Sequence, residues 1–149
     1  HETVRQLKEK YGDKVRFVFK NYPVLDASTG TSLNAARYAE ALGLQGIDKA
    51  YAFHSAVFSR QPEFHEKKGE FLKDVLKLVA KDTGADIGKA EKDMKSAEVK
   101  KIIDADSKEA ADFGFEGTPA FLVNGASLPG AYPFEAFVEI IDAILAGKS

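Results

Sequence analysis

The chain has 149 residues, of which 44% are hydrophobic and 30% are charged, and its formal net charge is −2. This length and composition are typical of one globular domain with a buried core. The nearly neutral charge gives no reason to expect nucleic-acid or membrane binding, and no stretch approaches the roughly 18 apolar residues of a membrane span. The chain has no cysteine, which excludes a disulfide, a thiolate metal site and a cysteine nucleophile within it.

A helix and then a strand are predicted at the start of the chain. Apolar residues recur at spacings of three and four over residues 1–11, which predicts a helix. No capping residue precedes this helix, so we expect that a segment upstream of it is missing. Apolar side chains then alternate with others over residues 14–21, which predicts a strand that stops at Tyr22-Pro23.

The middle of the chain is predicted to be helical. Helical patterns cover residues 32–42, 47–59, 66–81, 86–94 and 96–113. Three residues are expected to cap the starts of these helices: Ser32, Asp86 and Ser96. The acidic residues of the region are expected on solvent-facing surfaces, as at Asp74, Glu91, Asp93, Asp104, Asp106 and Glu109.

The stretch over residues 117–125 carries the strongest local signals. Ala120-Phe121-Leu122-Val123 is a short apolar run bounded by turn residues, which predicts a strand. Asn124-Gly125 is typical of a two-residue hairpin turn, because both central positions of a type I′ turn need a positive φ. Residues 126–132 are expected to supply the second hairpin strand, and Pro133 opens a last helix.

These residues resemble a known family. The segment Gly-Thr-Pro-Ala-Phe-Leu-Val-Asn-Gly at 117–125, followed by Leu-Pro-Gly-Ala-Tyr-Pro-Phe-Glu-Ala-Phe at 128–137, resembles the C-terminal half of a DsbA-like thioredoxin-fold domain. Residues 14–23 resemble the second strand of that family. Residues 1–11 resemble the helix that follows its Cys-x-x-Cys redox pair. The resemblance covers the whole chain, and the missing cysteines are its one large departure.

The resemblance implies an α/β, thioredoxin-like fold: a single domain over residues 1–149 with a helical insertion at 32–113. It also implies that the first, central strand and both cysteines lie upstream of His1. Without that strand, two rows of backbone N–H and C=O groups would face a gap. We therefore expect the complete polypeptide, another chain or a swapped segment to fill the slot, and we do not expect residues 15–21 to pair directly with 120–123.

The function implied by the resemblance is that of a thiol:disulfide oxidoreductase acting on secreted proteins outside the cytoplasm, in the periplasm or cell envelope. Its partners would be extended polypeptide substrates and a redox partner protein, and no cofactor is implied. Substrates would pair as strands with the Thr118-Pro119 loop, which also contains Glu116 and Gly117. The proline of this loop is cis in the family. Because a thiolate must attack the substrate disulfide, the chain as written has no catalytic residue and is expected to be inactive.

Two other functions stay open. The first is a redox-inert relative that binds peptides or a partner protein through the same loop. The second is a glutathione-dependent transferase or isomerase of the DsbA-related fold, in which a serine replaces the redox cysteine. On local sequence alone, Thr118-Pro119 is also consistent with a turn that merely starts a strand.

Other chemistry has little support in the sequence. The three histidines, His1, His54 and His65, lack the compact spacing of zinc ligands, so no metal site is expected. Among the acids, Glu116 deserves notice only because it lies beside Pro119. No Gly-x-Ser-x-Gly nucleophile motif and no glycine-rich phosphate loop is present.

Overall fold

The structure, a computed structural model, describes residues 2–24, 30–63 and 69–147. The chain divides into two compact units, each of which is described by itself. The sheet unit comprises residues 1–20 and 110–149, and the helical unit comprises residues 21–109. The prediction of a single domain with an insertion at 32–113 stays a prediction.

The principal helices are α1 Glu2–Tyr11, α2 Thr31–Gly43, α3 Ile47–Ser59, α4 Gly69–Thr83, α5 Ile87–Asp93, α6 Ala97–Asp112 and α7 Phe134–Leu145. The strands are β1 Ala120–Val123 and β2 Ala126–Pro129, and a 3-10 turn covers Gly12–Lys14. No helix in the described ranges is long and apolar enough to cross a membrane.

The helical unit is organised around α4. Five of its apolar residues recur at helical spacing and are buried: Phe71, Leu72, Val75, Leu76 and Val79. They belong to one cluster with Phe53 of α3 and the small residues Ala36 and Ala39 of α2. Small side chains on α2 allow its backbone to pack closely against the neighbouring helices.

Of the three residues predicted to cap helices in this unit, two do so in the structure. The Asp86 side chain accepts a hydrogen bond from the Lys89 N–H at 2.9 Å, and the Ser96 hydroxyl accepts one from the Val99 N–H at 3.2 Å, so both predicted caps are confirmed. The predicted cap at Ser32 is wrong. The helix begins at Thr31, and its N-cap position is Gly30, whose φ of 65° suits glycine.

The core of the sheet unit lies among α1, α7 and the hairpin. Its buried residues are Leu7, Tyr11, Leu128, Phe137 and Ile141. Val15 and Phe17 of the segment after α1, and Phe121 and Val123 of β1, pack against this cluster. One face of the hairpin is therefore covered, as an amphipathic sheet requires.

The predicted hairpin is confirmed. β1 and β2 pair antiparallel, with Val123 opposite Ala126 and Ala120 opposite Pro129. The turn residues Asn124 and Gly125 have φ values of 46° and 94°, both positive as a type I′ turn requires. β2 ends at Pro129 instead of continuing to Tyr132, because the next residues, Gly130 onward, leave the ladder.

The strand predicted over residues 14–21 is wrong. The segment after the 3-10 turn has no regular secondary structure through residue 24, and within the described ranges the sheet consists of β1 and β2 alone. A strand exists only where a neighbour accepts its hydrogen bonds, and in the described ranges no strand pairs with this segment. Residues 15–21 do not pair with 120–123, in agreement with the expectation from the missing strand.

Candidate functional site

The predicted binding loop starts from a fixed helix end. Gly114, with a φ of 74°, follows α6, and its N–H donates to the Ala111 carbonyl at 2.9 Å. The Phe115 N–H donates to the Ala110 carbonyl at 3.0 Å. These two bonds form a Schellman motif, which satisfies the last carbonyls of the helix and sets the direction of the chain beyond it. Phe115 is buried and anchors the entry to the loop.

The four predicted substrate-binding residues form one continuous loop between α6 and β1. Glu116, Thr118 and Pro119 are exposed, and Gly117 is half-buried. The Thr118–Pro119 peptide bond is cis. The loop therefore presents the backbone of Thr118 to solvent from a segment whose two ends are both anchored. Whether these residues bind a substrate stays a prediction.

β1 anchors the far end of the loop. The Phe121 ring meets the Phe137 ring of α7 edge to face, with centroids 4.8 Å apart. This geometry is favourable for aromatic pairs and adds to the burial of both rings. Leu122, on the opposite face of the strand, is 38% exposed. The strand that continues from Pro119 is thus covered on one face only.

The hydrogen-bonding directions along β1 follow from the register. Val123 and Ala126 flank the two-residue turn and exchange both backbone hydrogen bonds. Because the pattern alternates along an antiparallel pair, Phe121 also directs its N–H and C=O toward β2. The N–H and C=O groups of Ala120 and Leu122 therefore point away from β2, to the outer edge of the strand.

The two edges of the hairpin differ. On the outer side of β2 stands Pro129, opposite Ala120 at a pair that exchanges no hydrogen bonds, so its missing N–H blunts that edge. β1 contains neither a proline nor a charged residue, the devices that ordinarily protect an edge strand. The outer edge of β1 is consequently suited to pair with another extended chain.

A polar contact joins α1 and α7 within the sheet unit. The Tyr11 hydroxyl donates to Asp142 Oδ1 at 2.8 Å, and Lys10 Nζ lies 3.6 Å from Asp142 Oδ2. Burial, together with the hydrogen bond to Asp142, raises the pKa of Tyr11 to about 12. Tyr11 is therefore a neutral hydrogen-bond donor that joins two helices, not a proton-transfer group.

The sequence reading missed a buried polar cluster in the helical unit. The Asn21 N–H donates to Asp106 Oδ2 at 2.9 Å, and the Asn21 side-chain amide donates to Glu40 Oε1 at 2.6 Å. Asn21 and Asp106 are both buried, so the placement of Asp106 on a solvent-facing surface is wrong. The carboxylate gives the buried Asn21 N–H an acceptor at the end of a segment without regular secondary structure. No local pattern could reveal a contact between residues so far apart in sequence.

Of the three histidines, one lies among the residues that the structure describes. His54 lies on α3 in the helical unit, where burial lowers its pKa to about 4. His1 and His65 lie outside the described residues. Among the residues that the structure describes, no group of three or more histidine and acidic side chains could hold a metal ion.

Comparison with known proteins identifies the family. A family model described as Thioredoxin matches residues 1–143. Thiol-disulfide exchange protein alpha-DsbA2 from Wolbachia pipientis superimposes on 96% of the chain and 72% of its own length, with a TM-score of 0.80 and 23% identity. A thioredoxin-like oxidoreductase from Silicibacter pomeroyi superimposes on 97% of the chain and 76% of its own length, with a TM-score of 0.75 and 27% identity. The fold is therefore thioredoxin-like, as predicted.

Two curated relatives make the family assignment more specific. Proteins named probable disulfide bond formation protein D, from Bacillus cereus and Bacillus anthracis, are 29% and 31% identical over 124 residues. The matched region covers 80% of this chain and 55% of each relative, so the chain spans about half the length of the curated relatives it matches. The chain belongs to the thioredoxin family, and it is similar to the DsbA-like proteins of that family. The predicted family is confirmed.

Proposed function

We propose that this chain supplies the polypeptide-binding part of a DsbA-like thiol:disulfide oxidoreductase that acts on the disulfides of secreted proteins outside the cytoplasm. The observation that carries the proposal is the exposed Glu116–Pro119 loop, held between a Schellman motif and a strand, in a chain of this family. An extended substrate would pair with the Thr118 backbone, which is a common way for proteins to bind unfolded chains.

The redox step belongs to residues other than these 149, because none of them is a cysteine. A cysteine pair at a helix N-terminus is activated by the helix dipole and free N–H groups, which lower the thiol pKa. The thiolate then attacks a substrate disulfide, and a redox partner protein restores the pair. We propose that such a pair acts beside the Thr118-Pro119 loop in the complete protein.

The open edge of β1 supports a second part of the proposal. The outward N–H and C=O groups of Ala120 and Leu122 would pair with a strand that the described residues do not provide. The strand comes from another segment of the complete polypeptide or from a second copy by exchange. The exposed side chain of Leu122 would be covered when helices or loops pack over the completed sheet.

The substrate-binding role can be tested by titrating the isotope-labelled chain with an unfolded, cysteine-blocked polypeptide while recording backbone amide resonances. We expect shifts concentrated at Gly117, Thr118 and Ala120. Replacing Thr118 with proline should abolish them, because proline has no N–H to donate. Replacing Thr118 with alanine is the matched control and should leave binding intact, since it removes only the side chain. Equal binding by the wild type and the proline variant would refute the role of the loop.

The absence of cysteine also favours a second candidate function, a redox-inert module that binds polypeptides through the same loop. Intact mass and thiol content of the protein isolated from its natural source separate the two functions. A mass above the 16.2 kDa of this sequence, with two thiols that react after reduction, would support the oxidoreductase. A mass of 16.2 kDa with no reactive thiol would support the redox-inert module.

A further inference from the structure

The tip of the hairpin contains an exposed asparagine followed by glycine. Asn124 and Gly125 are both exposed, and a Cβ added at Gly125 would meet no atom within 4 Å. The Asn124 side-chain amide makes no hydrogen bond to any residue in the described ranges. Gly125 has no side chain that could shield its backbone nitrogen. A carboxamide carbon and a neighbouring amide nitrogen are thus adjacent, accessible to water and unobstructed.

We propose that Asn124 is a site of spontaneous deamidation, and that its product changes the hairpin. The Gly125 backbone nitrogen loses its proton to a base in solvent and forms a bond with Cγ of Asn124. The bond between Cγ and the side-chain nitrogen breaks, and this nitrogen leaves as ammonia. Water then opens the resulting five-membered imide at either carbonyl, giving aspartate or isoaspartate. No atom is oxidised or reduced, and water is the only co-reactant.

The native turn sets the rate of this reaction. The positive φ of Asn124 belongs to the compact turn, and ring closure requires the backbone on the C-terminal side of Asn124 to rotate out of that conformation. A two-stranded hairpin opens easily at its tip, because few hydrogen bonds must break there. Val123 packs against the cluster that contains Phe137 and Leu128, so the opening that the reaction needs is confined to the two turn residues, Asn124 and Gly125.

The two products affect the hairpin differently. Aspartate keeps the turn, because Asp-Gly suits the same type I′ geometry. Isoaspartate adds one carbon atom to the backbone between residues 124 and 125, so a two-residue turn can no longer connect Val123 with its partner Ala126. The turn then no longer fixes the register in which β1 pairs with β2. A weaker β1 also loosens the loop that ends at Pro119; this last consequence rests on the proposed function.

The chain provides its own controls, since it contains two other asparagines. Asn21 is buried, is held by Asp106 and precedes a tyrosine. Asn34 lies within α2 and precedes an alanine. Neither is followed by a glycine, and neither lies in a turn. After incubation of the folded chain in mildly alkaline buffer, we expect conversion at Asn124 at least roughly tenfold faster than at either, which corresponds to a barrier lower by about 1.4 kcal/mol.

The experiment combines peptide mapping by mass spectrometry with enzymatic methyl labelling of isoaspartate. An Asn124→Gly variant keeps a turn-compatible sequence but has no side-chain amide, so it should show neither labelling nor a mass change at the turn. An Asn124→Asp variant tests the charge change alone and should retain the hairpin amide resonances that the isoaspartate product loses.

Equal conversion at all three asparagines would overturn the proposal. The proposal would also be overturned if an isolated peptide of residues 121–127 reacted fully while Asn124 in the folded chain stayed unchanged. Neither readout depends on substrate binding, so failure here leaves the proposed function standing.

Discussion

The helical unit and the sheet unit bury their apolar residues to different degrees. In the helical unit, Phe53 and Phe71 are almost fully inaccessible to solvent, within a cluster contributed by five helices. In the sheet unit, the buried cluster has five residues instead of fifteen. Exposed large apolar side chains occur in both units, as at Val18 (62%) and Ile47 (69%). The sheet unit also contains just two strands in the described ranges.

The difference follows from where each element finds its hydrogen-bond partners. A helix satisfies its backbone within its own sequence and needs neighbours only for its apolar face. A strand needs a second strand for its backbone and a packed layer on each apolar face. The described residues therefore form a packed helical unit and a sheet unit whose sheet has two strands.

The test of this comparison with the largest expected effect on stability concerns the core of the helical unit. We expect Phe53→Ala to lower the free energy of unfolding by about 3–5 kcal/mol, because it leaves a cavity in a tightly packed cluster. Phe58, on the same helix but 42% exposed, is the matched control, and Phe58→Ala should cost less than about 1 kcal/mol. Urea unfolding followed by circular dichroism measures both. Similar losses for the two variants would show that the core is not packed as described.

The second test concerns the pH dependence of the helical unit. The pKa of His54 in the folded chain is about 4, below its usual value of 6.5, so the unfolded state binds a proton that the folded state excludes between these values. Stability should therefore be fully retained above pH 6.5 and fall as the pH drops toward 4, by at most roughly 3 kcal/mol. The difference between the wild type and His54→Gln in urea unfolding at several pH values isolates this effect from the carboxylates. A pH-independent difference would contradict it.

The third test concerns the buried polar cluster. Asp106→Ala leaves the buried Asn21 N–H without its carboxylate acceptor, which should cost about 1–3 kcal/mol in the free energy of unfolding. Asp104 lies on the same helix and makes an exposed ion pair with Lys100, so Asp104→Ala should change stability by less than about 1 kcal/mol. The same denaturation experiment applies. If the two losses are equal, Asp106 does not act as a buried acceptor.

Local patterns predicted the elements that depend on local interactions. Asn124-Gly125 defines its own turn, and Asp86 and Ser96 cap helices with N–H groups three residues away. The segment over 14–21 has the alternation of a strand, but alternation describes side chains and cannot supply a pairing partner. Asp106 is acidic and was expected at the surface, yet its burial depends on Asn21, which no pattern in the intervening sequence indicates. The loop at Thr118-Pro119 could be located from sequence because it bounds a short apolar run, Ala120–Val123, that ends in a second turn signal.

Hydrogen exchange along β1 tests the central claim most directly, namely that the sheet unit keeps an open strand edge beside the exposed loop. The amides of Phe121 and Val123 point to β2 and should exchange slowly in the folded monomer, whereas the amide of Leu122 points outward and should exchange much faster. This alternation within three consecutive residues cannot arise from general fraying of the strand. Equal protection of all three amides in the monomer would mean that another segment already pairs with the outer edge, and the account of an open edge would be wrong.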